Sequence, residues 1–184
     1  MPTVTVAVTG GIGAGKTEAL HAFARRGVPT QSADEIVHRL IAEDPEVRSA
    51  IEERWGTTDR ARIAEIVFAD REQLAWLEGL LHPRVRDQEE AWLDEVDGEV
   101  AVTEIPLLFE TGGESRFDVV VVITASAELR KARSQRAATD ARAERLIPDE
   151  EKVERADFAY VNDGTLEELD AFVAAVVQEL TSSS

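Results

Sequence analysis

The octapeptide Gly10-Gly11-Ile12-Gly13-Ala14-Gly15-Lys16-Thr17 fills every fixed position of the pattern G-x-x-x-x-G-K-[ST], and no other stretch of the chain restricts the fold as strongly. Glycines allow successive main-chain N–H groups to converge on one point without Cβ obstruction, which is what an anionic phosphate chain needs. A helix that opens near Gly15 aims its positive end at the same point. Lys16 then adds a full positive charge, and the Thr17 hydroxyl is a hard oxygen suited to Mg²⁺. A chance match arises in roughly one chain of this length in 150. Context makes chance less plausible still. An apolar, β-branched run at 3–8 precedes the loop, and a helical pattern at 17–26 follows it, with Leu20, Phe23 and Ala24 on one face and Gly27 as its stop. The expectation is a strand–loop–helix unit that binds ATP with Mg²⁺.

Further along, a short extended piece is expected at 28–31. Ser32-Ala33-Asp34-Glu35 has the form of a capping box opening a helix that carries Ile36, Val37, Leu40 and Ile41. Residues 45–96 read as helix almost throughout, in segments 45–55, 60–69, 71–81 and 82–96, with breaks at 56–59, at Asp70 and at the His82-Pro83 step. Strands are expected at 100–105, 119–123 and 158–161, and a loop at 106–117. The segment 127–145 reads as helix but is crowded with Arg and Ala and has little apolar periodicity, so it is not expected to pack tightly in the core. Helix continues at 149–156, and Thr165-Leu166-Glu167-Glu168 caps a last amphipathic helix. Strands alternating with helices imply a parallel sheet with helices on both faces. A single domain over 1–184 follows, with 45–96 as a helical substrate-side insertion and 127–148 as an Arg-rich lid.

Charge sharpens the chemical problem. The net charge is −17, which argues against non-specific nucleic-acid binding. It also means that a phosphate site must gather positive potential against a repulsive background. The chain has no cysteine, so disulfides and thiolate chemistry are excluded, and His21, His38 and His82 lack zinc-ligand spacing. No apolar run approaches a membrane span, and no signal peptide is expected ahead of the first strand. A cytoplasmic monomer acting on a small molecule, without nucleic-acid or membrane partners, is expected.

Beyond the phosphate loop, the chain resembles the dephospho-CoA kinase family. The segments that carry the likeness are Val8 to Thr17, Ser32-Ala33-Asp34, Ile66-Val67-Phe68, and Leu77 to Arg86 around His82-Pro83. Ile105-Pro106-Leu107-Leu108-Phe109-Glu110 and Lys152-Val153-Glu154-Arg155-Ala156-Asp157, running into Asn162-Asp163-Gly164, complete it. The resemblance implies a P-loop kinase fold and transfer of phosphate from ATP to the ribose 3′-hydroxyl of dephospho-CoA. It implies Asp34 as general base, with Lys16, Arg133 and Arg136 acting on the transferring group. It further implies Gly11, Ile12, Gly13, Ala14, Gly15, Lys16, Thr17, Asn162 and Gly164 on the nucleotide, the last two bordering the adenine. Thr9, Asp34, His82, Arg86, Leu107 and Glu110 fall on the acceptor side, and Thr17 and Glu104 on Mg²⁺. The chain departs from the family pattern at Ser32, where Asp is usual, at Leu146, where Gln is usual, and in a shorter lid after Arg136. Two alternatives stay open on sequence grounds. One is a nucleoside-monophosphate or shikimate type of kinase, and the other is an ATP-binding module with weakened catalysis.

Overall fold

Five strands lie parallel in one sheet: β1 (Val4–Gly10), β2 (Thr30–Ser32), β3 (Val100–Glu104), β4 (Val119–Thr124) and β5 (Phe158–Val161), in the order β2-β3-β1-β4-β5. The computed structural model describes residues 2–133 and 146–182. The strands read as unbroken apolar runs because both faces of the sheet are covered. Period-two alternation divides them. Val6, Val8, Val100, Val102, Val121 and Ile123 face one side, where α1 (Lys16–Ala24) brings Ala19, Leu20, Ala22 and Phe23, and α8 (Leu166–Ser182) brings Leu169, Val173 and Val176. Ala7, Val120 and Val122 face the other side. That side is covered by Ile105, Leu108 and Phe109 from the β3–β4 connection, with Ile147 and Ala156 flanking the short helix α7 (Asp149–Glu154). The expected strands at 100–105, 119–123 and 158–161 are therefore present to within a residue, and the extended piece expected at 28–31 is β2.

The end of β1 is set by its neighbour. Gly10 has φ 144°, and a Cβ there would stand 1.9 Å from the Ile123 carbonyl oxygen of β4. Only glycine lets the chain leave the sheet at this point, which is where the phosphate loop starts.

Two compact units emerge, Met1–Ser32 with Glu95–Ser184, which holds the sheet, and Ala33–Asp94, which is wholly helical. The helical unit contains α2 (Ala33–Glu43), α3 (Pro45–Trp55), α4 (Arg60–Ala69) and α5 (Arg71–Glu95). It starts earlier than the 45–96 stretch expected from pattern, because Ile36, Leu40 and Ile41 of α2 share a core with Val47 and Ile51 of α3. Local chemistry sets its boundaries. The Asp44 carboxylate accepts the Val47 N–H at 2.9 Å with Pro45 at the first helical position, and Asp59 accepts the Arg62 N–H at 3.0 Å.

The break expected at His82-Pro83 does not occur, and α5 runs through Pro83 to Glu95. Proline inside a helix costs on the order of 3 kcal/mol, through one missing N–H and a clash with the carbonyl four residues back. Burial along the helix offsets it. Leu77, Leu81 and Val85 are buried at four-residue spacing on both sides of Pro83, so ending the helix there would expose the stripe. The carbonyl that loses its main-chain donor at Pro83 is that of Gly79; next to it, the Arg84 guanidinium donates to the Leu80 carbonyl at 3.0 Å.

The C-terminal helix is capped as its sequence predicts. The Thr165 N–H donates to Glu168 at 2.8 Å and the Glu168 N–H donates back to the Thr165 hydroxyl at 3.2 Å. The described part of the Arg-rich segment, α6 (Ala127–Arg133), buries no side chain, as expected; residues 134–145 lie outside the described residues. Among the described residues no helix is long and apolar enough to cross a membrane.

Asp170 on α8 receives Arg26 at 2.6 Å and Arg25 at 3.0 Å, tying α8 to the end of α1. The hydrogen bond from Arg26, reinforced by Arg25, holds the Asp170 carboxyl well below the usual carboxylate range. A depressed carboxylate stabilises the fold above its unfolded pKa and loses that contribution as pH falls toward the folded value. Asp170→Asn is therefore expected to lower the urea midpoint by a constant amount above about pH 5, and by progressively less below about pH 4. Urea titrations of both proteins across that range check it.

Candidate active site

At the head of α1 the loop closes on itself. The Ala14 N–H donates to the Gly11 carbonyl at 3.2 Å, and Lys16 Nζ donates to the same oxygen at 3.1 Å, so the lysine arches over the loop. Gly15 sits at φ 99°, in the left-handed region, immediately before the first turn of α1. Gly15 thus stands directly before the first N–H groups of α1, which have no carbonyl partner within the helix. Thr17 occupies the first turn with its side chain exposed. The whole arrangement is a cradle of donors with one ammonium, and it fits the oxygens of a phosphate chain.

Beside the loop, Arg130 of α6 pairs with Asp149 at the start of α7 at 3.0 Å, and the pair rests on Gly11. A cleft of about 810 Å³ opens next to them. Ile12, Ala125, Ile147, Pro148 and Val161 form its apolar wall, and Ser126, Arg130, Asp149 and Asp163 supply polar groups. Asn162, between the cleft-lining Val161 and Asp163, is buried and donates from Nδ2 to the Ala14 carbonyl at 2.9 Å. Arg133 Nη1 donates to the Asn162 carbonyl at 2.9 Å. Of the two arginines assigned to the transferring group, Arg133 thus stands next to the loop's anchor, while Arg136 lies outside the described residues.

A family model described as dephospho-CoA kinase matches residues 4–168. The chain belongs to the dephospho-CoA kinase family. A dephospho-CoA kinase of Mesorhizobium japonicum is 39% identical over 190 residues, covering 96% of each chain, and one of Brucella melitensis is 35% identical over 97% of this chain and 96% of its own. A solved structure from Thermus thermophilus superposes with a TM-score of 0.80 at 31% identity, covering 98% of this chain and 99% of that one. The dephospho-CoA kinase of Campylobacter jejuni follows with a TM-score of 0.70 at 26% identity, covering 97% of this chain and 98% of that one. The chain is therefore a P-loop kinase, a phosphotransferase with a hydroxyl acceptor.

The remaining candidates in this kinase fall in two groups. In the sheet unit, Glu104 ends β3, is 5% exposed and pairs in register with Val8 and Ser32. Alternation puts it on the face that α1 covers, with Val100 and Val102. Thr9, one residue before the loop, is on the opposite face and fully buried, and its hydroxyl has no partner among the described residues. Leu107 lies half-buried in the β3–β4 connection. Gly164 lies under the Glu168 carboxylate of the α8 cap. In the helical unit, Asp34 is exposed in the first turn of α2, while His82 and Arg86 stand one turn apart on the uninterrupted α5.

Glu110 is engaged by the protein itself. Its carboxylate lies 2.8 Å from Nζ of Lys152, which is wholly buried on α7, and accepts the Ile147 N–H at 3.1 Å. Four residues along the same connection, Glu114 pairs with Arg155, whose guanidinium covers the Phe109 ring at 4.4 Å from its centroid. These contacts fasten the β3–β4 connection to α7 and to the Ile147–Pro148 part of the cleft wall. Residue-type reasoning passed over Lys152. A signal was present in composition, since the chain has only three lysines, Lys16, Lys131 and Lys152, among 20 basic residues. A compact ammonium stands at 152 where arginine is the rule in this chain, and it suits a tight buried site for a single cation.

Lys152→Met strands the Glu110 carboxylate in the interior and is expected to cost about 3–5 kcal/mol in urea unfolding. Glu110→Leu combined with Lys152→Met is expected to recover most of that loss. A single substitution costing under about 1 kcal/mol would deny the pair its structural role.

Proposed function

We propose that this kinase transfers the terminal phosphoryl group of ATP to the ribose 3′-hydroxyl of dephospho-CoA, giving coenzyme A and ADP. One observation carries the reading: a donor cradle with Lys16 folded over it sits at the end of β1 in a chain matched to the dephospho-CoA kinase model over 4–168. The names of the relatives supply the acceptor, and the cradle supplies the donor site.

In this proposal Gly11 to Thr17 bind the β- and γ-phosphates through main-chain N–H groups, and Lys16 neutralises charge on the transferring group. Thr17 and Glu104 are the residues that would hold Mg²⁺. Held there, Mg²⁺ would supply charge neutralisation to the phosphate chain. The Glu104 carboxylate is suited to this because β3 ends on the face covered by α1, whose first turn carries Thr17. Asp34 accepts the proton of the attacking 3′-hydroxyl as the new O–P bond forms and the bond to the departing ADP oxygen breaks. Arg133 and Arg136 offset charge at the transferring group. His82, Arg86, Leu107 and Thr9 hold the acceptor, and Gly164 borders the adenine. Glu110 serves the acceptor side by setting Ile147 and α7. The enzyme acts as a cytoplasmic monomer.

Mass spectrometry of dephospho-CoA incubated with ATP, Mg²⁺ and the protein is expected to show the gain of one phosphoryl group. Phosphorylation of AMP, CMP or shikimate in its place would overturn the acceptor assignment. Asp34→Asn is expected to lower turnover about 10²–10⁴-fold with ATP binding largely intact, measured by coupled ADP release and calorimetry. Unchanged turnover in that variant would remove Asp34 from the mechanism. Lys16→Ala is expected to lose both ATP affinity and transfer.

A further inference from the structure

The turn after β5 holds a residue whose hydrogen bonds run toward the phosphate loop and away from the cleft. Val161 and Asp163 line the cleft, and Asn162 between them does not. In an extended chain, successive side chains point to opposite sides, so Asn162 points where its neighbours do not. It is 4% exposed. Its main-chain N–H donates to the Thr124 carbonyl at 2.7 Å, its own carbonyl accepts from Arg133 at 2.9 Å, and Nδ2 donates to the Ala14 carbonyl at 2.9 Å. Contact is close enough that a Cβ on Gly15 would stand 2.3 Å from Nδ2.

The chemistry of that last bond concerns the Ala14–Gly15 peptide. A trans peptide is planar, with its carbonyl and the following N–H pointing in opposite directions. Holding the Ala14 oxygen toward Asn162 therefore aims the Gly15 N–H the other way. Released, the same peptide can rotate and present a partially negative oxygen to an anion. Gly15 makes such rotation easy, because glycine accepts either orientation.

We infer that Asn162 is a positioning residue for the phosphate loop, acting on nucleotide through the Ala14–Gly15 peptide and not by contact with the base. The inference rests on the reading of residues 10–17 as the phosphate cradle, and it replaces the expectation that Asn162 borders the adenine.

Calorimetric titration of the full-length protein with ATP and with inorganic tripolyphosphate, which carries no base, separates the possibilities. Asn162→Ala is expected to weaken both ligands by the same factor, about tenfold. Asn162→Asp, which sets a carboxylate against the Ala14 oxygen, is expected to weaken both further. In steady state KM for ATP should rise while KM for dephospho-CoA stays unchanged. A loss confined to ATP, with tripolyphosphate unaffected, would assign Asn162 to the base and overturn the inference. No loss for either ligand would also overturn it. A parent protein that binds neither ATP nor tripolyphosphate would overturn the cradle reading itself. Where a variant fails to fold, the parent protein suffices. The Asn162 side-chain amide should stay protected from hydrogen exchange with either ligand bound and show no NOE to adenine protons; such an NOE would sink the proposal.

Discussion

Main-chain amides at the start of α1 have to stay unpaired and aimed at one point, and much of the sheet unit is arranged to permit it. An N–H without a partner is costly when buried, so the loop must remain open on one side and be held firmly on the others. Gly10 leaves the sheet where the Ile123 carbonyl excludes a side chain, and Gly15 turns left-handed directly before the helix. Asn162 takes the Ala14 oxygen, and Lys16 takes that of Gly11. Thus two of the loop's carbonyls are engaged within the protein.

The strong negative charge of the chain imposes a second discipline. Three cations near the site are engaged within the protein: Arg130 rests on Asp149, Arg133 on the Asn162 carbonyl, and Lys152 on Glu110. These pairs differ in kind. Lys152 and Glu110 are hidden from water and act as a fixed bolt between the β3–β4 connection and α7, whereas Arg130 and Asp149 are partly exposed at the mouth of the cleft. An exposed pair contributes little to stability and exchanges partners easily. Its location on Gly11 sets its charges beside the phosphate loop.

The helical unit obeys a different logic. Its boundaries are local, made by Asp44, Pro45, Asp59 and Asp70, whose carboxylate accepts the Glu72 N–H at 2.7 Å. Its continuity is not local. Pro83 would end a solitary helix, yet α5 passes through it because Leu77, Leu81 and Val85 are buried together on either side. His82 and Arg86 therefore remain one turn apart, as their spacing alone suggested.

Legibility followed the range of the interactions. The phosphate loop, the strands, most helix boundaries and the Thr165–Glu168 cap depend on neighbours within a few residues, and alternation and capping chemistry reveal them in a linear string. The family segments likewise named the fold. What residue order did not disclose was distant pairing: Lys152 with Glu110, Arg130 with Asp149, α2 joined to the helical core, and the β3–β4 connection covering a face where helices were expected. Asn162 shows the division most clearly. The sequence by itself put an amide at the end of a strand, but only the tertiary structure, by bringing that amide to a carbonyl 148 residues away, decided which way it points. The reason is physical: hydrogen-bond direction and desolvation depend on what lies across space, and a linear pattern carries no information about that.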